Sequence, residues 1–353
     1  MNDSDLPIIE PPPKSYFTSN TTDDLYAHIQ KLYLADSRPW VIGYSGGKDS
    51  TATVQAVWIA ISKLNKSQHH KQVFVISSDT YVETPVIVDH ITNNLNQINV
   101  AAVEQGMPFS AQKVSPKTED TFWVCLLGKG YPAPTTRFRW CTDRMKIRPA
   151  DTFILDRVAE FGSVVMILGA RRGESGTRDQ VLSAREIEGS EFRRHATLPN
   201  AYVYAPIEMF SADDVWTYLG QIECPWGADN AVLLGMYRMA SSDGECPLVV
   251  DTSTPSCGNS RFGCWVCTVV ESDSSMESMV DNGEEWMEPL LEFRNELASH
   301  RDPSKKRELR EIKRRNGRVF RKADGTPIPG PYKFKQRKKM LTQLLKLQKK
   351  KGF

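Results

Sequence analysis

An α/β fold built on a doubly wound, mainly parallel sheet is the architecture this sequence predicts, and three observations carry it. Short runs of β-branched and apolar residues alternate with helix-compatible segments between residues 40 and 219, the pattern of a parallel sheet with crossover helices. The first such run, VIGY, opens directly into the glycine turn SGGKDS and then an apolar helical stretch. Three polar turns, at 45–51, 79–84 and 170–178, each follow a predicted strand. Ligands of such sheets bind beyond the carboxyl ends of the strands, so the three turns point to one shared site.

Taken in order, residues 1–20 read as a flexible leader, with three prolines at 11–13. Residues 21–35 form a helix with Thr or Asp as its N-cap. A strand at 40–44 leads through the glycine turn at 45–48 into a helix at about 50–64. KQVFVISSDT (71–80) reads as a buried strand. TPVIVDHITNNLNQ (84–97) reads as a helix with proline in its first turn, where the missing N–H costs nothing. Residues 98–115 carry a weaker strand signal, and 118–160 look mostly helical but are interrupted by GKGYPAPTT. SVVMILGARRGES (163–175) is the clearest later strand, and 202–219 combine a short strand with a helix capped by Ser211 or Asp213. The α/β domain therefore spans 21–220. A cysteine-rich segment (221–280) and a charged, helical, basic tail (281–353) follow. There is no internal repeat.

Composition narrows the class. Forty per cent hydrophobic and 25% charged residues describe an ordinary globular protein, and no apolar run approaches the ~20 residues of a membrane span. The acidic, proline-rich start is unlike a signal peptide, which together with the free-cysteine count favours the cytoplasm. The net charge of +2 hides an asymmetry: residues 301–353 carry 20 basic and 4 acidic residues, against 25 basic and 39 acidic in residues 1–300. Such a tail is either a solvated helical extension or an electrostatic arm for a polyanion such as DNA.

The turn Ser45-Gly46-Gly47-Lys48-Asp49-Ser50-Thr51 has the parts of an anion nest. Glycines allow close backbone approach, and the helix N-terminus adds unpaired N–H groups and a favourable dipole. The hydroxyls of Ser45, Ser50 and Thr51 donate, and Lys48 adds charge. Asp49 would repel phosphate unless a cation intervenes, which suggests Mg²⁺. SGGKDS resembles the PP-loop of the N-type ATP pyrophosphatases and their relatives the PAPS reductases, which have the adenine nucleotide alpha-hydrolase-like fold. Three further segments resemble that family: Ser78-Asp79-Thr80 with Glu83-Thr84-Pro85, Trp140-Cys141-Thr142 with Lys146 and Pro149, and Gly169-Ala170-Arg171-Arg172-Gly173-Glu174-Ser175. The resemblance covers roughly residues 38–220. It implies an ATP site cleaved between the α- and β-phosphates, with Asp79, Lys146, Arg171, Arg172, Glu174, Ser175 and Arg178 beside the nucleotide. Lys48, Asp49, Arg171 and Arg172 would then do the chemistry, the arginines neutralising the departing pyrophosphate. Each arginine also suits a surface ion pair.

Of the seven cysteines, Cys257, Cys264 and Cys267 lie in PSCGNSRFGCWVCTV, a spacing at which thiolates meet one metal or cluster edge. A fourth ligand is expected from elsewhere. Cys141 is the choice because it flanks the nucleotide segment, Cys224 and Cys246 are alternatives, and Cys125 reads as a core residue. Zinc and a [4Fe–4S] cluster both accept four thiolates, and the uneven spacing tilts towards iron–sulfur. "CGNSRFGCWVCT" with the earlier "WCTDRMKI" resembles the DndC/SspD branch, the sulfurtransferases of DNA phosphorothioation, where these four positions are associated with a [4Fe–4S] cluster.

That resemblance implies an ATP pyrophosphatase that adenylylates a DNA backbone phosphate so that sulfur can replace a non-bridging oxygen. It implies a cysteine desulfurase and other phosphorothioation proteins as partners, with no membrane. A homo-oligomer is compatible with the sequence but not read from it. The alternatives are a PAPS or adenylyl-sulfate reductase-like enzyme, a tRNA thiolase, and a non-enzymatic DNA-binding scaffold with a structural metal.

Overall fold

The computed structural model describes residues 15–172, 186–187, 190–195, 197–240 and 263–351. Five strands run parallel: β1 (Trp40–Gly43), β2 (Val73–Ser78), β3 (Phe109–Val114), β4 (Val164–Ile167) and β7 (Ala201–Tyr204). β6 (Ser190–Arg194) joins β7 antiparallel, and β5 (Glu186–Ile187) joins β6 the same way. The order β3-β2-β1-β4-β7-β6-β5 places the first strand between the second and the fourth. The chain therefore winds outward from β1 in both directions, as expected of a doubly wound sheet, and the switch point lies between β1 and β4. The antiparallel edge was not anticipated.

Period-two alternation decides which face each side chain serves. Trp40 and Ile42 of β1 join Val73 and Val75 of β2 in one core with α1 (Thr22–Leu34), α2 (Lys48–Ser62) and α3 (Pro85–Gln105). α5 (Ala212–Gln221) and α6 (Asn230–Met239) pack into the same core through Trp216 and Tyr237. Val41, Phe74 and Ile76 face the other way, onto Ile154 of α4 (Arg148–Phe161). Both faces are thus covered, which is why β1 and β2 read as continuous apolar runs.

α3 runs eight residues past its expected end, because Ile98, Ala101 and Ala102 continue its buried stripe. Gly106 then stops it at φ 63° in a left-handed cap. Residues 15–20 of the expected leader pack onto the body. Ser15 Oγ and the Tyr16 N–H donate to the Asp214 carboxylate at 2.5 and 2.9 Å, and Tyr16 and Phe17 rest against Phe210.

The basic segment is a correction of larger scale. Residues 281–353 were expected as a tail, yet α8 (Glu288–Ser299) and α9 (Phe334–Lys351) fold back into a second hydrophobic core. Leu290, Phe293, Tyr332 and Met340 pack there with Phe122, Cys125, Trp140 and Trp265. Basic residues dominate the count while apolar ones at helical spacing make the contacts, so composition concealed the packing. α7 (Ser274–Asp281) sits in the same core, so no boundary falls at 281. Among the described residues no helix is long and apolar enough to cross a membrane.

Lys71, at the entry to β2, supplies a test of the sheet's lower end. Its ammonium is almost fully enclosed between the rings of Tyr33 and Trp40, 3.2 Å from Asp36. Burial pushes it down to about 8 from 10.5, against the pull of Asp36. Between those values the unfolded chain holds a proton that the folded chain does not, so this group's contribution to stability rises with pH. Chemical denaturation of wild type and Lys71→Met at pH 7.5 and 10 should show wild type gaining roughly 1–3 kcal/mol relative to the variant. Equal responses would mean that Lys71 titrates normally.

Candidate nucleotide and cysteine site

The glycine turn sits at the carboxyl end of β1 and delivers the N-terminus of α2. Gly46 has φ 74°, and a Cβ there would come within 2.7 Å of Ile91, so this position requires glycine on both conformational and spatial grounds. Gly47 is the N-cap and carries no side-chain cap of its own. Ser45 and Ser50 bring their hydroxyls within 3.1 Å of each other, and the Ser50 and Thr51 hydroxyls both donate to the Gly47 carbonyl. The Lys48 N–H reaches the Tyr237 hydroxyl of α6 at 3.3 Å. His90 of α3 lies beside Gly46, and burial holds its imidazole below the usual range, partly offset by the Gly46 carbonyl.

Across the switch point the loop after β4 touches this turn directly. A Cβ on Gly169 would stand 2.8 Å from both the carbonyl carbon and oxygen of Asp49, so only a bare backbone passes. Arg171 then turns back and its Nε donates to Asp49 Oδ1 at 2.6 Å, while Lys48 Nζ meets Oδ2 at 2.7 Å. Both oxygens of Asp49 are thus committed to cations. The repulsion between Asp49 and phosphate is answered by Lys48 and Arg171, and a divalent ion on this carboxylate would have to displace one of them.

Two other expected nucleotide residues have partners within the chain. Arg172 donates to Glu208 at 2.7 Å, and Arg193 shares that carboxylate, so the arginine serves the turn after β7. Asp79 pairs with Lys113 of β3 at 3.4 Å and accepts the Tyr81 N–H at 3.0 Å. Lys146, on a π-helical turn (Asp143–Ile147), lies in electrostatic reach of Cys264. Glu174, Ser175, Arg178 and Cys257 lie outside the described residues, as does Cys246.

Three of the four predicted thiol ligands are described and share one neighbourhood. Cys264 bridges antiparallel to Glu83 in the loop after β2, with the Trp265 N–H on the Val82 carbonyl at 3.0 Å and Thr80 Oγ1 at 3.5 Å from its sulfur. Cys267 closes the CxxC turn by donating its N–H to the Cys264 carbonyl at 2.9 Å. Burial pushes the Cys264 thiol up to about 11; Lys146 moderates the rise, while Glu83 and Cys267 add to it. Burial also raises Cys141, and Cys267 adds to that. Desolvated thiols that feel one another's charge suit a cationic inorganic centre. No three His, Cys, Asp or Glu side chains among the described residues form a group that could hold a single metal ion. In a [4Fe–4S] cluster each thiolate takes a different iron, so convergence on one point is not required. Cys125 is fully buried in the second core, as expected, and Cys224 lies with the first.

The turn carrying the cysteines is held by cations that sequence reasoning missed. Arg294 of α8 has no exposed surface and donates to the carbonyls of Cys267, Val270 and Glu271 at 2.7–2.8 Å. Arg301 adds the Thr268 carbonyl. Tyr237 was missed as well: neither it nor Arg294 belongs to a motif, and each reaches the site only through tertiary packing.

The family model described as the phosphoadenosine phosphosulfate reductase domain matches residues 39–269. An uncharacterized protein of Methanocaldococcus jannaschii is 24% identical over 243 residues, 69% of this chain; the chain spans only 39% of that relative's length. Among solved structures, the U34-tRNA thiolase NcsA from Methanococcus maripaludis with its [4Fe-4S] cluster is similar at TM-score 0.35 and 10% identity. That match covers 60% of this chain and 70% of the thiolase. The NAD+ synthetase of Burkholderia pseudomallei is similar at TM-score 0.35 and 16% identity, covering 61% of this chain and 71% of the synthetase.

Gly169 gives the sharpest test of this geometry. Gly169→Ala puts a methyl group against the Asp49 backbone, which cannot swing aside as a side chain would, so the β4 loop must retreat and Arg171 with it. Calorimetric titration should show ATP affinity falling by about tenfold or more, equivalent to ~1.4 kcal/mol, with far-ultraviolet dichroism unchanged. Wild-type affinity in that variant would show the contact to be incidental.

Proposed function

The chain belongs to the phosphoadenosine phosphosulfate reductase domain family, and from that premise we propose that it is an ATP pyrophosphatase that activates a DNA backbone phosphate for sulfur insertion. One observation carries the reading: the phosphate loop and the cysteines occupy the same end of the sheet. β1 and β2 are parallel neighbours; the loop after β1 offers the anion nest, and the loop after β2 holds Cys264 through Thr80 and Glu83. A centre that handles sulfur beside a site that handles phosphate is the arrangement that oxygen-for-sulfur exchange requires.

In the proposed reaction a non-bridging oxygen of the DNA phosphodiester attacks the α-phosphorus of ATP. The bond to the β-phosphate oxygen breaks, and pyrophosphate leaves. Sulfur leaves the cysteine desulfurase as a persulfide; an external thiol reductant supplies two electrons, ending as a disulfide, and the sulfide released attacks the DNA phosphorus, so that AMP departs with the original oxygen. Gly46, Gly47 and the first N–H groups of α2 hold the departing pyrophosphate. Ser45 donates a hydroxyl hydrogen bond to it, Ser50 shapes the loop from the Gly47 carbonyl, and Lys48 and Arg171 balance its growing charge. Asp49 keeps those two cations oriented. Glu174, Ser175 and Arg178 are proposed to complete the nucleotide pocket, and any Mg²⁺ would arrive on the phosphates of ATP. Cys141, Cys257, Cys264 and Cys267 would hold a [4Fe–4S] cluster, which when bound supplies a redox-active iron–sulfur centre.

Two measurements decide the matter. Pyrophosphate release from ATP, assayed with DNA and a desulfurase, should fall by about 10²–10³-fold in Ser45→Ala and Asp49→Ala, and phosphorothioate dinucleotides should appear in digests of the treated DNA by mass spectrometry. No release from wild type would end the enzyme reading, and release with thiolated RNA instead of DNA would favour the tRNA thiolase reading. Separately, anaerobic purification should give a coloured protein with about four iron atoms per chain, lost in Cys264→Ser. A colourless protein with stoichiometric zinc would replace the cluster by a structural metal.

A further inference from the structure

Part of the C-terminal region's positive charge lies outside α9, in one short segment. Residues 313–322, KRRNGRVFRK, hold six cations and no carboxylate. They belong to a hairpin whose two arms are joined antiparallel at Arg310 with Tyr332 and at Arg321 with Pro327. Between those points the Glu311 N–H donates to Pro331 at 2.8 Å, and the Ile328 N–H to Phe320 at 2.7 Å. The neck is clamped. Arg310 donates to the carbonyls of Gly330 and Pro329 at 2.7 and 2.6 Å, and a Cβ on Gly330 would collide with the carbonyl of Lys313. Below the neck Tyr332 is buried in the second core, its N–H on the Gly130 carbonyl at 2.7 Å.

This construction is not that of a solvated tail. Six like charges held on an ordered hairpin repel one another, and among the described residues none of Lys313, Arg314, Arg315, Arg318, Arg321 and Lys322 has a carboxylate within ion-pair distance. Solubility alone requires neither a buried anchor nor a clamped neck. Beside these cations Phe320 is 48% exposed, with the Arg314 guanidinium 5.6 Å from its ring centre. Cations for phosphates next to a half-exposed aromatic ring for a base are what a nucleic-acid strand recognises. The hairpin stands on the core that also holds Trp140 and Trp265, neighbours in sequence of Cys141 and Cys264.

We propose that this hairpin, residues 311–329, is an arm that grips DNA, its cations on backbone phosphates and Phe320 against a base. The choice of DNA rests on the function proposed above; the arm itself rests on the charge, the clamp and the exposed ring.

The test is fluorescence anisotropy of the full chain with a labelled oligonucleotide, single-stranded and duplex, across a salt series and without ATP. Wild-type affinity should fall steeply with salt. Replacing Arg314, Arg315, Arg318 and Arg321 together by Ala should weaken binding at least tenfold at 0.1 M salt and flatten the log–log slope by about three, since each lost phosphate contact removes about 0.7–0.9. Phe320→Ala should weaken single-strand binding about five-fold or more with the slope unchanged. Unaltered ATP binding and thermal midpoint in both variants establish that the remainder of the protein is intact. The proposal is overturned if wild type shows no salt-sensitive DNA binding, if the quadruple variant keeps its affinity and slope, or if wild type prefers anionic vesicles or RNA of the same sequence. Failure of adenylylation would show instead as absent pyrophosphate release, a separate readout.

Discussion

The close approach of two backbones at the sheet's switch point is the constraint on which the rest of the site depends. Gly169 lies so near the carbonyl of Asp49 that no side chain fits between them, and this contact brings Arg171 within 2.6 Å of Asp49. Strand order makes it possible: β1 and β4 are neighbours although they are far apart in sequence. With Lys48 on the other oxygen, the Lys–Asp–Arg set carries one net positive charge at the mouth of a helix whose N–H groups face the same way. A partly enclosed ion pair of this kind is weak evidence for stability. Its value here lies in holding two cations at a fixed separation, so that little reorganisation is required when a polyphosphate arrives.

A second body of packing controls the cysteines. The CxxC turn has little regular structure of its own, and its carbonyls would be left without donors if buried. The fully enclosed guanidinium of Arg294 satisfies the Cys267 carbonyl and those of Val270 and Glu271 just beyond the turn, which ties the turn to α8 and hence to the second core. The loop after β2 grips the same turn from the other side through the Glu83–Cys264 bridge. The described cysteines therefore lean on the second core and are tied to the loop after β2, and a disturbance in either reaches them.

Parts of this arrangement were legible from residues alone because they are local. A buried strand, two glycines and a helix start at 40–51 occupy consecutive positions, and no distant contact changes their meaning. The capped helix at Ser211 was equally readable, with Ser211 accepting the Asp214 N–H at 3.0 Å. Cys141 was chosen as the fourth ligand because it flanks the nucleotide segment, a choice the family resemblance also implies, and Cys141 and Cys267 lie within electrostatic reach of each other. The cations that Asp49 meets within the chain are Lys48 and Arg171, and its contact with Arg171 was not read from the sequence. Arg172 looks identical to Arg171 in sequence, yet one step along the loop turns it to Glu208.

The sequence by itself determined the α/β class, the strand that carries the phosphate loop, the glycines that shape it and the thiols available for an inorganic centre. These follow from periodicity, backbone conformational freedom and residue chemistry, all of which act over a few positions. Only the tertiary structure decided which arginine meets Asp49, that Tyr237 and Arg294 belong to the site, and that the basic C-terminal region is a folded body bearing a clamped hairpin. Each of those depends on packing between segments separated by tens to hundreds of residues, where the energy comes from burial and hydrogen-bond satisfaction that no local pattern encodes.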